Sequence, residues 1–139
     1  MSPSLFEQAA CGLLRTATDG TILQVNPIFL GWIGRSADDL VGKRRLQDLF
    51  SMGGRLFHQT HWSPLMQIQG SVAEIKIELL HRDGSSVPML FNAVRRPASA
   101  DVEQAYDDVA AMVLRDRHEY ERELLESRRQ AEAAHEQLS

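Results

Sequence analysis

Two Asp-Gly pairs constrain how this chain can fold. Thr18-Asp19-Gly20-Thr21 and Arg82-Asp83-Gly84-Ser85 each lie between short, apolar-rich stretches. An Asp-Gly turn between two such stretches folds them back on each other as an antiparallel hairpin. The first turn joins a strand over 12–17 to one over 22–25; the second joins 71–81 to 87–94. In the second hairpin Val72, Ile75, Ile77 and Leu79 alternate imperfectly. Pro88 belongs near the start of its strand or at a bulge, because it has no N–H to give a ladder.

Helix signals fill the space between the hairpins. Asn26-Pro27 reads as an N-cap followed by proline at the first helical position, where a missing N–H costs nothing. That helix carries Phe29, Leu30, Trp32 and Ile33 and ends at Gly34. Ser36-Ala37-Asp38-Asp39 reads as a capping box opening a second short helix, closed by Gly42, and a third is expected over 46–50. Three short helices in so few residues predict a cap over a sheet. Gly53-Gly54 reads as a tight turn into a longer segment over 55–69, which Pro64 kinks or restarts.

Residues 1–10 read as a lead segment with a short helix, and 97–107 as an exposed loop. Over 108–115, Val109, Ala111 and Val113 alternate as in a strand, yet Val109, Met112, Val113 and the alanines also fit a helix; periodicity leaves both open. From Asp116 to Ser139 there is no glycine or proline. Tyr120, Leu124, Ser127, Ala131, Ala134 and Leu138 alternate at spacings of four and three, with Arg122–Glu126 and Arg128–Glu132 at i, i+4 on the flanks. The seam is thin, since three of its six positions are Ser or Ala. A parallel coiled coil in a dimer is the favoured reading; a single amphipathic helix packed on its own domain is the other. The chain ends inside the pattern, as a helix continuing into something else would.

Composition sets the class. With 139 residues and 43% hydrophobic content the chain suits one domain with a modest core. A net charge of −4 offers no basic footprint for nucleic acid. The single cysteine, Cys11, forms no intramolecular disulfide and fits a reducing compartment. No apolar run approaches the roughly 20 residues of a membrane helix, and no leader opens the chain. A soluble, cytoplasmic protein without a membrane segment is expected.

In order, the elements are hairpin, three short helices, one longer helix, hairpin, a further long segment and an exit helix. Asp19-Gly20-Thr21-Ile22 through Asn26-Pro27-Ile28-Phe29, then Trp32-Ile33-Gly34 and Ser36 through Lys43, with Arg82-Asp83-Gly84-Ser85 and the run from Arg117 to Glu123, resemble the PAS domain of bacterial signalling proteins. The resemblance covers about residues 8–125. The stretch from Gly53 to Met66 is similar to a PAS subgroup found ahead of phosphatase or cyclic-nucleotide output domains. The resemblance implies that 108–115 is the fifth strand, central in an antiparallel sheet. It also marks a departure: Val113-Leu114-Arg115 stands where many members carry Asp-Ile-Thr at the junction with the exit helix.

The implied fold is α+β: a PAS-like five-stranded antiparallel sheet, short helices on one face, and a C-terminal coiled-coil helix. The divisions are a lead segment at 1–10, the sensor domain at 11–116 and the signalling helix at 117–139. His58 and His61, at i, i+3, share a helix face and are candidate ligands. In haem-binding relatives the proximal histidine lies on this helix, so either could hold iron, with Phe29, Trp32, Leu65 and Met66 supplying apolar walls; otherwise both are ordinary histidines. His-x-x-His lacks the spacing and glutamate of a zinc-protease helix, so no metal site is expected without haem. Cys11 precedes the first strand, unlike the flavin-reactive cysteine of light-sensing relatives, whose Asn-Cys-Arg motif is absent. Arg55 and Gln59, at i, i+4, could take a carboxylate or form a solvated face.

Phe29, Trp32, His58, His61, Trp62, Leu65 and Met66 thus form the candidate ligand cavity, with core packing as the bland alternative for Phe29 and Trp32. Tyr120, Leu124, Ala131 and Leu138 form the candidate dimer helix. No nucleophile–base pair or carboxylate dyad marks an enzyme. The expected function is a sensor module that binds a small ligand or cofactor. A homodimeric helix would relay the signal to an output domain of phosphatase, cyclic-nucleotide or kinase type. The alternatives are a ligand-free dimerisation module and a haem-based sensor.

Overall fold

A computed structural model describes residues 4–114 and 124–133. Five strands, β1 Gly12–Ala17, β2 Ile22–Val25, β3 Ser71–Leu80, β4 Ser86–Arg96 and β5 Tyr106–Val113, form one antiparallel sheet in the order β2-β1-β5-β4-β3. Both Asp-Gly turns make hairpins, and Gly20 and Gly84 take the positive φ such turns require. Residues 106–113 are the central strand, so the strand alternative at 108–115 holds. The imperfect alternation of β3 has a local cause: Ala73 and Glu74 bulge between the Val72–Ala93 and Ile75–Phe91 pairs. Asn92 Oδ1 accepts the freed Glu74 N–H at 2.8 Å.

One face of the sheet is covered by α1 Pro27–Ile33, α2 Ala37–Leu40, a 3-10 turn at Leu46–Leu49, α3 Met52–Phe57, a π-helical turn at His58–Trp62, and α4 Ser63–Gln69. The core lies between these and the inward strand positions: Phe29, Ile33, Leu40, Phe50, Trp62 and Met66 pack toward Leu14, Ile77, Leu79, Met89, Phe91 and Val109. Asn26 is the N-cap of α1 and Gly34 its left-handed C-cap, as expected.

Two local expectations are corrected and a third holds. Ser36 makes no side-chain capping bond to α2. Gly53-Gly54 does not turn into the helix; Ser51 caps it, and both glycines lie inside α3. Pro64 restarts the segment as expected: α4 begins at Ser63 with the proline in its first turn, after the π-helical turn. The backbone stays helical from 52 to 69, and the Ser63 N–H donates to His58 O, five residues back. The widened turn falls just before Pro64, whose ring clashes with the carbonyl four residues back in a regular α-helix.

Tyr120 and Leu138 lie outside the described residues, as do Asp116, Arg122 and Ala134. Residues 124–133 are helical, with Leu124, Ser127, Arg128 and Ala131 exposed.

Candidate functional site

The π turn splits the two histidines. His58 turns inward, its ring 5.9 Å from Phe50 edge-to-face and 5.6 Å from Trp62. Burial, then the nearby positive charge of Arg45, lowers its pKa below the usual histidine value. His61 turns outward, stacks on Phe57 at 4.6 Å, and has Nδ1 2.8 Å from Thr60 Oγ1. Sharing a face holds only for a regular α-helix; a turn with an extra residue swings the second side chain away.

Phe50, Trp62 and Phe91 close the centre of the molecule, with ring centroids 5.6–6.2 Å apart. Beside them a polar void of about 20 Å³ lies among Thr16, His58, Trp62, Ser63, Met66 and the Arg95–Asp107 pair. That volume holds about one water. His58, Trp62 and Met66 therefore meet at one place. Phe29 and Trp32 do not join them: both pack against Gly12 on β1. Leu65 is half-buried against the core, and His61 is outside. His58 meets only that small void on its inner side and charged, polar side chains (Arg45, Asp48, Arg55, Gln59) on its outer side, and His61 is outside, so the residues present do not fit haem, and the filled interior does not fit a flavin. Among the described residues, no group of three His, Cys, Asp or Glu could hold a metal ion. Cys11 is half-buried.

Turn and cap patterns do not single out Arg95 and Asp107, but strand parity does. Arg95 continues the inward series Val87, Met89, Phe91, Ala93, and Asp107 begins the inward series Val109, Ala111. A charge on each of two core-facing rows is the sign of a buried pair.

On the other sheet face, the lead segment lies against the strands. A depression of about 340 Å³ lies there over Leu13, Val94 and Ala110, with Phe6 of the lead segment against it. The lead makes one helical turn, with Gln8 N donating to Ser4 O. It is tied down by Asn26 Nδ2, which donates to Phe6 O at 3.1 Å. Arg15 donates to Asp108 Oδ1 at 2.8 Å, Arg96 lies 3.5 Å from the other carboxylate oxygen, and the Arg15 guanidinium sits 4.3 Å above the Tyr106 ring.

No protein-family model matches the chain. It is 30% identical over 124 residues to a phosphoserine phosphatase (RsbP) of Bacillus subtilis, a match that takes in 89% of this chain and 30% of the relative's length. Among solved structures, the PAS domain of a protein from Colwellia psychrerythraea superposes with a TM-score of 0.68 at 16% identity, covering 78% of this chain and 90% of that one. The PAS domain of an HTR-like protein from Haloarcula marismortui gives 0.61 at 20%, with coverage of 78% and 90%. With its strand order and helical cover, this chain has the fold of a PAS domain.

Proposed function

We propose that this chain is the regulatory PAS module of a signalling protein, that two copies associate, and that a change in their packing passes through the C-terminal helix to an output domain. The observation that carries this is the outer sheet face. Val94 and Met112 are 40% and 46% exposed there, and the apolar depression is bordered by both signs of charge, Arg15 and Arg96 beside Asp108. A patch holding both signs can complement its own copy about a two-fold axis. The exposed helical residues 124–133, with Leu124 and Ala131 on the seam between Tyr120 and Leu138, suit a second contact in the same dimer. The filled interior favours input by association over an enclosed cofactor. The match to part of a phosphatase supports an output domain of that kind, where the chemistry would reside. Relay then needs only a difference in stability between two packings of the pair.

Sedimentation equilibrium tests this. A concentration-dependent dimer is expected, weakened by about ten-fold or more by Val94→Glu and by Leu124→Glu. A chain that stays monomeric at about millimolar concentration, or a dimer indifferent to both substitutions, overturns it.

A further inference from the structure

A second cleft, of about 370 Å³, opens between the 3-10 turn and the helix that follows, lined by Arg45, Asp48, Arg55, His58, Gln59 and Ser63. None of these is a large apolar side chain. Arg55 is pinned: its Nε donates to Phe50 O at 3.3 Å and its Nη2 to Asp48 O at 2.9 Å, which fixes its head group at the cleft. Arg45 Nη2 stands 3.6 Å from Asp48 Oδ1, beyond good hydrogen-bond length, while Asp48 Oδ2 accepts the Arg45 backbone N–H at 3.0 Å. Two guanidiniums against one carboxylate leave the lining with one net positive charge.

His58 forms the cleft's inner wall. Together with Gln47 and Ser63 it also lines the void that holds Arg95 and Asp107. The surface cleft and the β4–β5 ion pair are thus separated by a single layer of side chains.

We infer that this cleft binds a small organic anion through its carboxylate, with Arg45 and Arg55 taking the carboxylate and His58, Gln59 and Ser63 meeting the polar remainder. A planar carboxylate matches the forked edge of a guanidinium, and a monoanion balances the single net charge. The second negative charge of a phosphate would face Asp48. Protonation of His58 adds a donor and a positive charge to the wall, so anion binding raises the pKa that burial and Arg45 hold down. The charged groups around the ring are Arg45, Asp48 and Arg55 on the cleft side and Arg95 and Asp107 on the void side. This site gives the module a chemical input without an enclosed cofactor. It is independent of the association reading, because binding is read at His58 and association by sedimentation.

The test is an NMR titration of the His58 ring in the full chain with lactate, acetate and inorganic phosphate, at ionic strength held constant with sodium chloride. His61, outside the cleft, serves as the internal control. Lactate and acetate should give a saturable His58 shift, with phosphate weaker. Affinity should rise as pH falls from about 8 to about 6. Arg55→Gln and Arg45→Gln should each weaken binding by about ten-fold. Arg55 also holds two carbonyls, so if its variant unfolds, the half-exposed Arg45 decides the matter alone. A His58 shift no larger than that of His61, phosphate binding tighter than either carboxylate, or unchanged affinity in Arg45→Gln overturns the proposal.

Discussion

Arg95 and Asp107 stand directly opposite each other on β4 and β5, joined by two hydrogen bonds, Nε to Oδ1 at 2.8 Å and Nη2 to Oδ2 at 3.1 Å. Both point to the helix-covered face, and the Asp107 side chain is only 7% exposed. A one-residue slip between the strands would carry one member to the outer face and leave the other buried alone, so the pair holds the register of the central ladder.

Arg95→Met should therefore destabilise the fold by about 3 kcal/mol, because it leaves a buried carboxylate without its counter-charge. The double variant Arg95→Met/Asp107→Leu should lie closer to wild type than the sum of the two single losses. Urea unfolding across the double-mutant cycle measures the coupling, and additive losses would remove the pair's role in register.

Asn26 is fully buried and spends all its polar capacity. Its Oδ1 accepts from Leu13 N at 3.0 Å and Phe29 N at 3.3 Å, while its Nδ2 donates to Cys11 O and Phe6 O. One amide thus ties the lead segment and β1 to α1. Asn26→Ala should lower stability by about 3 kcal/mol or more, since several buried backbone groups lose partners at once. Asn26→Asp should not rescue it, because a carboxylate cannot donate to the two carbonyls. Recovery of near-wild-type urea stability in Asn26→Asp would show that only the two N–H groups accepted by Oδ1, those of Leu13 and Phe29, matter.

The sequence makes legible what depends on neighbours along the chain. Asp19-Gly20 and Asp83-Gly84 specify turns through their own backbone preferences, and Asn26-Pro27 and Gly34 mark both ends of α1. Residues 106–113 are different: the outward Ala110 and Met112 are as apolar as the inward Val109 and Ala111, so the strand shows too little polar contrast to reveal its period, and only the family resemblance settles it. At the candidate site, His58 and Trp62 were recognisable as a cluster on one helix. Pro64 signals a local disturbance there, but not that it takes the form of a widened turn, which is what separates His61 from them. The four bonds of Asn26 draw on groups far apart in sequence, so the capping motif announces only one of them.

His58 gives stability a pH dependence of definite sign. Its pKa is lowered in the folded state, through burial first and Arg45 second, so the unfolded chain binds the proton more readily. Its contribution is fully present above the unfolded value of about 6.5 and is lost as pH falls from there toward the folded value. Urea midpoints between about pH 8 and about pH 5 should fall more steeply for wild type than for His58→Phe, which keeps a ring against Phe50 and Trp62. Parallel profiles would mean that His58 titrates alike in both states.

Gly53 and Gly54 should respond oppositely to the same substitution. Both lie in the first turn of α3, where alanine is the better helix former. A Cβ on Gly53 meets nothing within 4 Å, so Gly53→Ala should stabilise the protein by about 0.5 kcal/mol. A Cβ on Gly54 would come within 2.7 Å of Ile77 Cγ2 and 3.0 Å of Phe50 Cβ. There the helix approaches β3 too closely for any side chain, and Phe50 is fixed in the aromatic cluster beside His58. Gly54→Ala should destabilise by about 1–3 kcal/mol despite its helix propensity, because the methyl group overpacks a filled core. Melting curves of the two single variants give the answer directly. A Gly54→Ala protein as stable as Gly53→Ala would mean that α3 can lift off the sheet, and that the interior has room to open between Phe50 and Ile77.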